Sequence, residues 1–60
     1  SNHEDIDAVR QLILSNLPKS LDQLSNLLKV NKSSIQKALH FLILEEKIYC
    51  NNTQYELLKP

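Results

Sequence analysis

The sequence predicts a small, mainly helical α+β domain in which three helices precede a two-stranded β hairpin. Three observations carry this reading. Apolar residues recur at helical spacing in three stretches; polar helix-opening residues stand before the second and third of them; and after Lys47 the pattern turns extended.

The first helix is expected to begin near Asp5, where acidic residues complement the positive end of the helix dipole, and to carry Ile6, Val9, Leu12, Ile13 and Leu17 inward until Pro18 ends it. Ser20 followed by Gln23 has the form of a capping box and launches Leu21, Leu24, Leu27 and Leu28, with the helix closing near Lys29. Asn31 is expected to cap the third helix by the same chemistry, with Val30 packing as a staple on the turn. In that helix Ile35, Ala38, Leu39 and Leu42 share one face, and Gln36, Lys37 and His40 fall on the other. Ile48-Tyr49-Cys50 and Tyr55-Glu56-Leu57-Leu58 then flank Asn51-Asn52-Thr53-Gln54 as a hairpin. The chain has no glycine, so the bend is assigned to Asn51 and Asn52, the residues that best tolerate positive φ in its absence. One tyrosine is expected to cover the core while the other stays partly exposed, with Tyr49 facing a ligand.

Composition bounds what such a chain can do. Its 60 residues, 42% of them apolar, suffice for one domain, here residues 5–60, with residues 1–4 expected to be a disordered start or an expression scar. The length suits a module of a longer protein. Twelve Leu and five Ile supply the core, whereas one Phe, two Tyr and no Trp leave little aromatic surface for stacking bases or lining a cofactor pocket. Lys and Arg balance Asp and Glu at seven each, which weakens the long-range field toward phosphate backbones. The single Cys50 cannot form an intrachain disulfide and has no zinc-ligand spacing around it, so a reducing compartment is expected, with Cys50 a small core or groove residue. No apolar run reaches the length that spans a bilayer, and a soluble module without membrane contact is expected.

Candidate chemistry is sparse. His3 and His40 stand without a second ligand at metal spacing, and there is no glycine-rich phosphate loop, catalytic carboxylate pair or Ser-His-Asp arrangement. The expectation is therefore a non-enzyme with no metal and no cofactor. Ser33 and Ser34 are explained by their place at a helix start. Leu14, Leu44 and Leu58 fall off the core stripes and are expected to form an exposed apolar patch, suited to a partner helix or a second copy.

Three helices and a two-stranded wing make a winged helix-turn-helix, a fold that serves DNA binding, protein docking and dimerisation alike. Within it, Ser33-Ser34-Ile35, two polar residues, Ala38, an aliphatic, a polar residue, Phe41-Leu42, then acidic Glu45 and Ile48-Tyr49 resemble the C-terminal winged helix of the middle subunit of replication protein A. The likeness runs from about Leu21 to Tyr55 and is strongest over Ser33 to Tyr49. It implies a nuclear recruitment module of a single-stranded-DNA-binding complex, or of a telomere-associated complex on the same plan. Such a module docks amphipathic, partly basic helical segments of replication, repair or telomere proteins, and other subunits are held by regions outside this chain. The resemblance maps the docking groove onto Glu45, Ile48, Tyr49, Cys50, Asn51, Asn52 and Tyr55. Two departures stand out: the acidic wing of the family is replaced by the uncharged Asn51-Asn52-Thr53-Gln54, and its glycine before the strand by Glu46.

The rival reading is duplex DNA binding through the third helix, with Lys32, Ser33, Gln36, Lys37 and His40 toward the major groove. Zero net charge, a bend without Lys or Arg, and a single arginine, Arg10, on the first helix disfavour it. The winged helices that bind left-handed DNA need Asn and Tyr where Gln36 and His40 stand, and Trp where Tyr55 stands.

Overall fold

The computed structural model describes residues 6–59. The expected helix start at Asp5, the expected disordered residues 1–4, and His3 lie outside the described residues. Within them the chain runs α1 (Ile6–Asn16), β1 (Lys19–Ser20), α2 (Leu21–Leu28), α3 (Lys32–Leu44), β2 (Ile48–Asn51) and β3 (Gln54–Leu57). The three strands form one antiparallel sheet in the order β1-β3-β2. The α+β, mainly helical class is as expected. The sheet is not: it has three strands where two were expected, because Lys19 pairs with Tyr55 and Ser20 with Gln54 along the far edge of β3.

The core is Val9, Ile13, Leu24, Ile35, Ala38, Leu39, Leu42 and Ile48, and α3 supplies half of it through the stripe read from sequence. Leu14, Leu17, Leu21, Leu28, Val30 and Tyr55 pack around it half-buried. Three residues expected inside are outside: Ile6 is 60% exposed, Leu12 45% and Leu27 50%. At about 100° per residue, Leu12 lies a full step around α1 from Ile13, off the buried stripe, and Leu27 stands likewise to Leu28 on α2. Ile6 is on the packed face but at the first turn, beyond the end of the core. Conversely Leu14, expected in an exposed patch, packs on the core, while Leu44 and Leu58 are exposed as expected.

The caps divide the same way. The capping box forms in full: the Gln23 amide donates to Ser20 Oγ at 3.2 Å and the Ser20 amide to Gln23 Oε1 at 2.9 Å. Asn31 holds the N-cap position of α3, but its side chain makes no cap hydrogen bond. Only its backbone carbonyl serves, accepting from the Ile35 amide at 3.1 Å. The turn before it is instead tied by Ser25, whose hydroxyl donates to the Val30 carbonyl at 3.1 Å. Leu17 and Pro18 are joined by a cis peptide bond between α1 and β1.

A chain without glycine still has to turn, and among the described residues three take left-handed backbone: Lys29 (φ 58°), Glu46 (φ 61°) and Asn52 (φ 59°). Of the two asparagines assigned to the bend, only Asn52 has this conformation; Asn51 is in β2, paired with Gln54. Glu46, standing where the resembled family has glycine, closes α3. Its amide donates to the Ile43 carbonyl and that of Lys47 to the Leu42 carbonyl, both at 2.9 Å, the paired bonds of a Schellman ending. This sharp stop delivers the chain into Ile48, whose buried side chain pins the sheet to α3.

Candidate functional site

The residues expected to form a docking groove come from one region but not from one surface. Strand alternation divides them. Ile48 pairs with Leu57 and Cys50 with Tyr55 on the sheet face toward the helices; Tyr49 pairs with Glu56 and Asn51 with Gln54 on the outer face. Ile48 is 2% exposed, so it supports the region from beneath and has no surface of its own to offer a partner. Tyr55 is the half-buried core cover, and Tyr49 the exposed tyrosine, 40% accessible. Cys50 was expected in the core or a groove and is exposed. By strand alternation it shares the inner face with Ile48, yet it is exposed, and its thiol lies 3.1 Å from the Asn52 carbonyl in the turn.

Glu45 follows the last turn of α3, where its carboxylate takes an ion pair from Arg10 of α1 and stands 4.0 Å from Lys47 Nζ. The acidic group expected to greet an incoming basic segment is thus already partly compensated. Glu46 beside it is exposed. Leu44, Leu57 and Leu58 are also exposed, at 64%, 43% and 45%. The Leu58 amide donates to the Lys47 carbonyl at 2.9 Å, which holds the last of these at the hairpin base, next to the end of α3. Apolar surface and acidic charge therefore meet at the base of the hairpin, not along its turn.

The outer face of the hairpin carries an arrangement the sequence reading did not contain. Glu56 Oε1 accepts from the Tyr49 hydroxyl at 3.1 Å, and Oε2 from Asn51 Nδ2 at 3.0 Å. The hydrogen bond to this carboxylate, reinforced by its negative charge, raises the Tyr49 phenol above its usual range. The signal was present in the numbering: a two-residue turn between Asn51 and Gln54 places Tyr49 directly opposite Glu56.

The alternative DNA-facing residues do share a surface. Lys32, Ser33, Gln36, Lys37 and His40 are all exposed along the outer flank of α3. Lys32 Nζ stands 2.5 Å from Asp22 Oδ1 of α2, so part of its charge is spent within the domain. Ser33, Gln36, Lys37 and His40 border a shallow, open depression whose remaining walls are Ile6 and Phe41. Phe41 is 48% exposed and was read from sequence only as part of the family likeness. Among the described residues no cluster of His, Cys, Asp and Glu could hold a metal ion, and no helix is long and apolar enough to cross a membrane. No protein-family model matches this chain, and neither does any curated protein or solved structure.

Proposed function

We propose that this domain is a winged helix-turn-helix that works as a protein-docking module, taking amphipathic helical segments with basic flanks at the base of its wing. The winged-helix reading is supported by the order helix, short strand, two helices, hairpin, with β2 and β3 as the wing and β1 stitched to its inner edge. The observation that carries the docking reading is the exposure of Leu44, Leu57 and Leu58 beside Glu46, with Glu45, partly compensated by Arg10 and Lys47, next to it. Burying a fully exposed leucine contributes about 1.5–3 kcal/mol, of which these half-exposed side chains can supply roughly half each, whereas exposed ion pairs contribute about 0.2–1 kcal/mol and mainly set orientation and association rate. An apolar patch with an acidic border is matched by a helix that is apolar on one face and basic beside it. By its resemblance to the replication protein A module, the parent assembly would be a nuclear single-stranded-DNA-binding complex of replication, repair or telomeres, with DNA held by other domains.

Duplex DNA recognition is the second reading, favoured by the common exposure of Lys32, Gln36, Lys37 and His40 on α3. An NMR titration of the isotope-labelled domain separates the two. A basic amphipathic peptide is expected to shift the amide signals of Glu45, Glu46, Tyr49, Leu57 and Leu58 saturably, while duplex DNA leaves α3 unmoved at physiological salt. Shifts at Lys32, Gln36 and Lys37 on adding DNA, with the peptide inert, would overturn the docking reading.

A further inference from the structure

The outer flank of α3 pairs apolar surface with positive charge, the opposite of the hairpin base. Phe41 lies one turn beyond Lys37 and one residue from buried Leu42, so it sits at the border of the packed face with half its surface in water. Ile6, at the first turn of α1, extends past the core toward it, and the two wall the depression bordered by Ser33, Gln36, Lys37 and His40. The His40 ring meets Phe41 edge-on, with centroids 6.1 Å apart and planes at 62°, which makes one continuous aromatic wall. Among the described residues no carboxylate lines this depression, and Lys37 is the one permanent charge in its lining.

We infer that this depression is a second docking surface, which takes an acidic amphipathic helical segment from another protein. An apolar side chain of that segment fills the space between Ile6 and Phe41, and carboxylates one turn away reach Lys37 and the His40 imidazole, with the Gln36 amide and Ser33 hydroxyl as further donors. Charge complementarity selects this occupant. A basic segment would set like charge against Lys37. A second copy docking through a two-fold axis would do the same, Lys37 facing Lys37. A DNA backbone needs several cations in a row, whereas here it would meet one lysine and two apolar side chains that return nothing to a desolvated phosphate. This inference is independent of the hairpin-base reading, since the two surfaces share no residue.

The probe is a synthetic peptide of about 15 residues, long enough to sample helix, with leucines one turn apart and glutamates on the flanking positions. Its charge-reversed counterpart, lysine for glutamate, is the control. Titrating the isotope-labelled domain with the acidic peptide is expected to shift Gln36, Lys37, His40 and Phe41 saturably and to leave Tyr49 and Leu58 in place. Phe41→Ala is expected to weaken binding about tenfold or more, as loss of an apolar anchor does. Lys37→Glu is expected to weaken it about three- to tenfold and to flatten its salt dependence. Both side chains are exposed, so circular dichroism should show each variant folded. Undiminished affinity in folded Phe41→Ala, shifts confined to the wing, or tighter binding of the lysine peptide at this flank would each overturn the inference. So would duplex DNA moving these signals while the acidic peptide does not, or concentration-dependent self-association that moves them without any peptide.

Discussion

Glu46 is the left-handed residue at which α3 gives way to the sheet. Left-handed backbone costs a non-glycine residue about 1–2 kcal/mol, and Glu46 also sets a negative charge beside the carbonyls that end α3. The Schellman bonds from Glu46 and Lys47 back to Ile43 and Leu42 hold it there regardless. Glu46→Gly is expected to stabilise the domain by about 1 kcal/mol, net of the freedom glycine gains when unfolded, which in a domain this small raises Tm by about 4–8 °C. Glu46→Ala removes the same charge but keeps the β-carbon, so it isolates the backbone contribution. The measurement is thermal unfolding followed by circular dichroism, and equal melting temperatures for the two variants would show that φ at this position costs nothing. The same residue-scale logic explains why the bend was only half legible. Asparagine was correctly chosen as the substitute for glycine, but Asn51 and Asn52 are chemically identical, and only pairing across the strands decides which of them turns.

At the scale of elements, what could be read from sequence was whatever repeats. The α3 stripe of Ile35, Ala38, Leu39 and Leu42 is buried as its spacing demands, and the Ser20–Gln23 box caps α2 as its spacing demands. What escaped was β1, because two residues have no periodicity and their partners lie on β3, some 35 positions further along the chain. Asn31 shows the converse: a residue type suited to capping sits at the cap position, yet tertiary context leaves its side chain out. Leu12 and Leu27 show that a leucine-rich helix offers more apolar positions than one core can cover. The candidate surfaces were legible by type more than by arrangement, since Tyr49, Asn51 and Glu45 were found but their partners Glu56 and Arg10 were not. Ser20 joins two of these elements, as N-cap of α2 and as the last residue of β1 opposite Gln54. Ser20→Ala is expected to destabilise the domain by about 1 kcal/mol through loss of the cap. Urea unfolding should show the loss, whereas Asn31→Ala, which removes no cap bond, should shift the midpoint much less. Equal losses would mean that Asn31 caps in solution.

For the whole molecule, α3 is both the spine of the core and the support of both proposed surfaces. Its buried face meets α1, α2 and β2, its outer flank carries Lys37 and Phe41, and its Schellman ending sets the base of the hairpin. A domain of this length has a total stability of about 3–9 kcal/mol at the usual value per residue. Leu39 is 2% exposed, and cutting a fully buried leucine back to alanine costs about 2–5 kcal/mol, a large part of that total. Leu39→Ala is therefore expected to be substantially unfolded or to melt near room temperature, and to lose binding of the basic and the acidic peptide together. Leu27→Ala deletes the same atoms from a half-exposed position and should stay close to the parent in stability, within about 1 kcal/mol, with both binding activities intact. Surface variants should do what neither of these does and separate the two activities: Lys37→Glu weakening only the acidic peptide, Glu46→Gln only the basic one, and the double variant showing the sum of the two effects because the sites share no contacts. Urea unfolding and peptide titration on the same protein samples decide the matter. A folded, fully stable Leu39→Ala would remove α3 from the centre of this architecture, and coupled losses in folded single-charge variants would show one binding surface where two are proposed.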